Sequence, residues 1–180
     1  MKNFLFKTGQ PQSINAVLAN KDQRAELQAK LINVYSNDTL IAVKLNIPGP
    51  IKNNQYIKDM FDTGLEFFLA DNNFEIIQQM KRDAPTGPEA ILVVSQAGAE
   101  VKKQAVKFED NYDLGRLFDI DVLTKEHGHW SRTELGEPVR KCLICDYPAK
   151  ECARSRKHSV AELQQKIEEL YLNGHQKTQN

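Results

Sequence analysis

The chain has 180 residues, 41% hydrophobic and 27% charged, and its 24 Lys plus Arg balance 24 Asp plus Glu to a formal net charge of zero. That length is enough for one proper core, and the balance is ordinary for a globular protein. A general polyanion binder would be basic overall, so non-specific nucleic-acid binding is not expected and anion recognition must come from local clusters.

The opening Met1-Lys2-Asn3-Phe4-Leu5-Phe6-Lys7 has an apolar stretch too short for a signal peptide, and no later run approaches a membrane span. Ser13 and Asp22 suit the N-caps of two short helices between Ile14 and Tyr35. A β-like run from Thr39 to Ile47 is stopped by Pro48-Gly49-Pro50. From Asn54 to Ala70, Ile57, Phe61, Gly64 and Phe68 recur at helical spacing, with Tyr56, Met60 and Leu65 beside them. Phe74 to Met80 and Ala90 to Ser95 read as strands joined through Pro85-Thr86-Gly87-Pro88. Val101, Ala105 and Phe108 then predict a helix between Gly98 and Asp110.

Leu117 to Leu123 is the next strand, followed by a Gly128 turn and a return strand around Trp130 to Thr133. Ser159-Val160-Ala161-Glu162 is a capping box; Leu163, Ile167 and Leu170 continue one face, and Gly174 suits the C′ position. Helices and strands mix without strict alternation. The expectation is an α+β fold: a mixed, largely antiparallel sheet flanked by helices in one domain over 1–180, with the Cys-containing segment 140–174 packed against it.

Alternate side chains of a strand share a face, so Phe118, Ile120 and Val122 should enter the core while Asp119 and Asp121 emerge together on the other side. Two close carboxylates repel unless a cation lies between them. Hard oxygen ligands on a rigid strand suit Mg²⁺, or Mn²⁺ in its place, which neutralises charge developing at a phosphoryl group. Gly115-Arg116 just upstream would bring a flexible backbone and a guanidinium to the same phosphates. The alternation resembles the Asp-hydrophobic-Asp-hydrophobic motif of the polymerase-β-like nucleotidyltransferases, although their upstream Gly-Ser element is not evident. That superfamily often adds a third carboxylate, for which Glu109, Asp110 and Glu134 are candidates.

A second constellation is Cys142, Cys145, Cys152 and His158, spaced Cys-x2-Cys-x6-Cys-x5-His. Three thiolates and an imidazole are a known structural zinc set, and three clustered thiols point to reduced cysteines in the cytoplasm, not disulfides. Small thiols packing a loop against the last helix are the bland alternative. His127 and His129 flank a turn and are assigned no metal. Arg154, Arg156 and Lys157 crowd the start of the final helix, with Arg140 and Lys141 close in sequence. The cluster reads as a solvated charge run, or as a cradle for a pyrophosphate or CoA phosphate or a docking patch for an acidic protein, of which the sharper readings are favoured.

Pro48-Gly49-Pro50-Ile51-Lys52, Leu114-Gly115-Arg116-Leu117-Phe118-Asp119-Ile120-Asp121-Val122-Leu123, Arg140-Lys141-Cys142-Leu143-Ile144-Cys145 and Cys152-Ala153-Arg154 together resemble the apo-citrate lyase phosphoribosyl-dephospho-CoA transferases. The resemblance covers nearly the whole chain. It implies transfer of the 2′-(5″-triphosphoribosyl)-3′-dephospho-CoA group to a serine of the acyl carrier (γ) subunit of citrate lyase, releasing pyrophosphate. Asp119 and Asp121 would then hold Mg²⁺ and, with Arg116, form the catalytic set; Lys52, Arg140, Arg154 and Arg156 join Arg116 as phosphate contacts. The rival readings are a nucleotidyltransferase for another carrier, such as that of malonate decarboxylase, and a non-catalytic zinc-bound adaptor. The adaptor would present a protein- or RNA-binding surface, but the near-neutral charge counts against an RNA role, and the expected partners include no nucleic acid and no membrane.

Overall fold

A computed structural model describes residues 4–177, and side chains from 4 to 174; Met1, Lys2 and Asn3 of the opening stretch lie outside the described residues. Ser13 does cap the first helix, accepting from the Ala16 N–H at 3.1 Å, but α1 runs unbroken over Ile14–Val34. The expected division at Asp22 does not occur, because its neighbours are good helix formers and no Gly or Pro interrupts them. Strand β1 (Thr39–Leu45) ends short of Pro48. Helix α2 (Gln55–Asn72) starts at Asn54, whose side chain accepts from the Ile57 N–H, and buries Ile57, Met60, Phe61, Gly64, Leu65 and Phe68.

Strands β2 (Ile76–Ala84) and β3 (Gly87–Val94) form a tighter hairpin than expected, with Ala84 opposite Gly87 and only Pro85-Thr86 between them. Pro88 lies inside β3, just beyond the Lys44–Glu89 pair that ends the ladder to β1, where a missing N–H costs little. Helix α3 (Gly98–Asn111), strand β4 (Phe118–Thr124) and a short strand β5 (Gly128–Trp130) follow. The expected return strand stops at Trp130, and Thr133 begins a 3-10 turn instead. Helix α4 is Ala149–Ser155 and α5 is Val160–Lys177. The capping box of α5 forms as read: Ser159 accepts from the Glu162 N–H at 3.2 Å and Glu162 from the Ser159 N–H at 2.7 Å. Gly174 is not a C′ residue; the helix continues past it, where an added Cβ would lie 3.8 Å from that of Asp113.

The strands join in the order β2-β3-β1-β4-β5 with every neighbour antiparallel, so the α+β fold has no parallel pair among its described strands. Helices α2 and α3 cover one face, where Ile41, Val43, Leu92, Phe118, Ile120 and Val122 meet Phe61, Phe68, Val101 and Phe108. A Cβ on Gly64 would come within 2.2 Å of the Phe118 ring, so α2 lies unusually close to β4. On the opposite face α1 sets Leu31 and Ile32 against Leu40, Ala42, Ile91 and Leu123. A further cluster ties Leu5, Ile47, Ile51 and Ile57 to Ile167 and Tyr171 of α5. Among the described residues no helix is long and apolar enough to cross a membrane.

Candidate active site

The burial of β4 alternates as its sequence requires: Phe118, Ile120 and Val122 are buried, while Asp119 and Asp121 are part-exposed on the α1 side. Cross-strand pairing places Lys44 of β1 opposite Asp119, and Glu89 of β3 opposite Lys44. Arg82 of β2 stands opposite Glu89 in turn, so one row across four strands alternates in charge. Such opposite-sign cross-strand neighbours are mutually stabilising. The Lys44 ammonium donates to the Asp119 carboxylate and lies 3.5 Å from Asp121 Oδ2. A cation between the two acids was the sequence-derived requirement; a lysine supplies it here.

Arg140 reaches the same point from the segment after β5, its guanidinium 3.7 Å from Asp119 Oδ1 while it donates to the Arg116 and Phe118 carbonyls. Burial pushes the Asp119 carboxyl up, but the Lys44 charge and hydrogen bond, with Arg140 and Lys102 behind them, hold it below the usual carboxylate range. A cavity of about 190 Å³ opens here, lined by Asp119, Lys44, Lys52 and Glu89 together with Lys21 and Arg24 of α1. Lys52 donates to the Ile47 carbonyl at 2.5 Å, and burial lowers its ammonium's affinity for a proton.

The outer edge of β4 is held by charge where β5 stops short. The Ile120 N–H donates to Glu109 at 2.9 Å, and buried Lys102 donates to the Ile120 carbonyl at 2.7 Å. Arg132 closes the set with Glu109 at 2.6 Å and Asp110 at 3.0 Å. Burial lowers the Lys102 pKa, with Glu109 and Asp121 opposing. This clamp fixes the backbone between Asp119 and Asp121. Glu109 and Asp110 are thus engaged with Arg132, and Glu134 accepts from Ser131 at 2.8 Å, so none of the three joins the Asp pair. The carboxylate that shares a cavity with Asp119 is Glu89, bound to Arg24 at 2.8 Å and to Arg82.

Cys142, Cys145, Cys152 and His158 come together, with their candidate ligand atoms all within 4.8 Å of one another. Cys145 Sγ lies 4.0 Å from Cys152 Sγ and 3.2 Å from His158 Nε2. Zinc–sulfur bonds of about 2.3 Å in a tetrahedron place two sulfurs roughly 3.8 Å apart, so the set matches a zinc-sized cage. The Cys142 thiol accepts from the Ile144 and Cys145 backbone N–H groups; burial raises its pKa, but these bonds outweigh it and the net shift is downward. Burial, reinforced by the neighbouring thiols, pushes Cys152 up to about 12. The three thiols are free. His127 lies apart from this cluster, stacked on Trp130 with ring centroids 3.8 Å apart.

The predicted basic residues divide. Arg116 donates to the Lys141 and Cys142 carbonyls at 2.5 and 3.0 Å, which locks it to the cysteine segment instead of leaving it beside Asp119. With Arg140 and Arg156 it lines a second cavity of about 500 Å³. Arg154 is exposed and lines neither cavity, and Lys157 lies over the Tyr147 ring at 3.9 Å. Lys44, Glu89, Lys102 and Arg132 were missed by sequence reasoning. Their signal was faint: a lone lysine inside the apolar Thr39–Leu45 run, opposite an acid on each neighbouring strand.

Comparison with known proteins supplies the remaining evidence. The family model described as apo-citrate lyase phosphoribosyl-dephospho-CoA transferase matches residues 12–174. The chain is 36% identical over 171 residues to a probable apo-citrate lyase phosphoribosyl-dephospho-CoA transferase of Streptococcus pyogenes serotype M18, covering 92% of this chain and 88% of that one. It is 32% identical over 161 residues to the enzyme of that name from Escherichia coli O7:K1, covering 88% and 87%. It is also similar to protein CitXG of Leuconostoc mesenteroides subsp. cremoris, 34% identical over 175 residues, covering 93% of this chain and 37% of that longer protein.

Proposed function

The chain belongs to the apo-citrate lyase phosphoribosyl-dephospho-CoA transferase family, and from that premise we propose that Asp119 and Asp121 form the centre at which the prosthetic group changes hands. The protein is an enzyme of the transferase class, and its reaction is transfer of the phosphoribosyl-dephospho-CoA group onto apo-citrate lyase. The relatives' names do not favour the malonate decarboxylase alternative. The donor is the triphosphoribosyl form, the acceptor a serine hydroxyl on the acyl carrier subunit, and one transferase domain over residues 1–180 does the work in the cytoplasm.

One observation carries the assignment of the centre: two carboxylates project from one face of β4 with the Lys44 ammonium between them, and Asp119 lines a cavity shared with Lys44 and Lys52 and lies 3.7 Å from Arg140. In the reaction the serine oxygen bonds to the α-phosphorus while the bond from that phosphorus to the pyrophosphate oxygen breaks. The electron pair leaves with pyrophosphate, and Asp121, part-exposed beside Lys44, accepts the serine proton. Arg140 and Lys52 balance the negative charge that accumulates on the leaving group. The Asp pair suits Mg²⁺ or Mn²⁺ in donor type and exposure, and such an ion would add charge neutralisation at the phosphoryl group. Lys44 has a flexible stem, so its ammonium can transfer from the acids to the donor phosphates.

The cysteine–histidine set reads as a structural zinc site, since four protein ligands close the tetrahedron and leave no position for substrate. The Asp centre is tested by replacing Asp119 and Asp121 separately with Asn and following pyrophosphate release with apo-carrier protein. Each change should slow release by roughly a hundredfold or more, the scale of losing a catalytic electrostatic group. Two folded variants at the wild-type rate would remove Asp119 and Asp121 from the chemistry.

A further inference from the structure

The cavity at Asp119 is about 190 Å³, too small for a donor that carries a nucleoside, a pantetheine arm and several phosphates. Sites for ligands of that class run from roughly 300 to 1,000 Å³. The second cavity, about 500 Å³, is of that size and adjoins the first: Asn46 lines both, and Arg140 stands in its wall with its other edge 3.7 Å from Asp119.

Its lining has two characters. Arg116, Arg140, Lys141 and Arg156 bring positive charge, and no Asp or Glu lines it among the described residues. Leu117, Leu143, Ala149, Ala153, Val160 and Leu163 supply apolar surface. Cations that recognise phosphate, set in an otherwise apolar wall, match a molecule with a charged diphosphate between a flat base and a long uncharged arm. Cys142, Cys152 and His158 also belong to this wall, so a zinc ion held by them with Cys145 would clasp it.

We propose that the cavity between the cysteine segment, the 3-10 turn at Gly115–Leu117 and the start of α5 binds the dephospho-CoA portion of the donor. The triphosphate end then extends past Arg140 toward Asp119 and Asp121. The inference rests on the transfer reaction assigned above and names where its larger substrate part is held. Arg116 and Arg140, tied to the carbonyls of Lys141, Cys142, Arg116 and Phe118, couple the two cavities through one short stretch of backbone.

The test is calorimetric titration of the full-length protein with dephospho-CoA, which lacks the reacting triphosphoribosyl end. Wild type should bind it, and Ala153→Phe, which fills the cavity mouth from an exposed position, should weaken binding by about tenfold or more. Arg156→Gln, exposed and unable to disturb a core, should weaken it several-fold, roughly the worth of one ordinary hydrogen bond at a solvent-exposed position. Asp119→Asn should bind within about twofold of wild type, because it lies outside this cavity. Absence of wild-type binding at about 1 mM dephospho-CoA overturns the proposal. So does wild-type affinity in both cavity variants, or an equal loss in Asp119→Asn. Failure of the Asp assignment would appear separately, as transfer activity surviving in Asp119→Asn.

Discussion

With its ammonium set between Asp119 and Asp121, Lys44 holds two like charges on neighbouring same-face positions of one strand. Asp119 titrates below the usual carboxylate range although burial acts in the other direction, because Lys44, with Arg140 and Lys102, outweighs it. A depressed folded-state pKa stabilises the fold above the unfolded value of about 3.9, and that contribution is lost as pH falls through the folded value. Lys44→Met should therefore be less stable than wild type at pH 7, by about 1 kcal/mol once solvent screening of these part-exposed groups is allowed for. The deficit should shrink on acidification below about pH 4, where Asp119 takes up a proton in the variant first. Urea midpoints of both proteins at the two pH values measure this; a gap that stays constant would separate Lys44 from the titration of Asp119.

At the scale of elements, the clasped segment from Arg140 to His158 carries most of what is unusual. It has little regular structure beyond the short helix α4, yet it supplies Arg140 to the Asp pair and a wall to the larger cavity. Purified protein should contain one zinc ion per chain, and Cys145→Ser should lose it. Loss of the ion should lower the melting midpoint by ~4–8 °C, taking ~2 kcal/mol for the clasp at this chain length. Zinc-free protein that melts unchanged would reduce the four residues to packing. The ligand spacing of this segment and the alternation of β4 were legible in the sequence, because both are local patterns of residue type. The Lys102–Glu109–Arg132 clamp was not: it depends on β5 stopping at Trp130, so that the Ile120 backbone groups seek side chains from α3. Likewise the unbroken α1 follows from what its interior lacks, and Asp22 gave a cap signal that packing and propensity overrode.

Taken whole, the molecule uses one face of its antiparallel sheet for stability and reserves part of the other for charge. Helices α2 and α3 bury the first face; on the second, α1 covers Leu40, Ala42, Ile91 and Leu123 and leaves the acidic end of β4 open beside Arg140. The sheet order that brings β4 next to β1 is long-range and could not be read from local pattern, yet it alone sets Lys44 against Asp119. In the proposed function, that arrangement moves a phosphoribosyl-dephospho-CoA group from a triphosphate donor to a carrier-protein serine. Intact mass spectrometry of apo-carrier protein, incubated with the enzyme, Mg²⁺ and the triphosphoribosyl donor, tests it most directly. Wild type should leave a carrier heavier by one phosphoribosyl-dephospho-CoA group, and Asp119→Asn an unmodified carrier. A competent carrier left unmodified by the wild-type enzyme would contradict it.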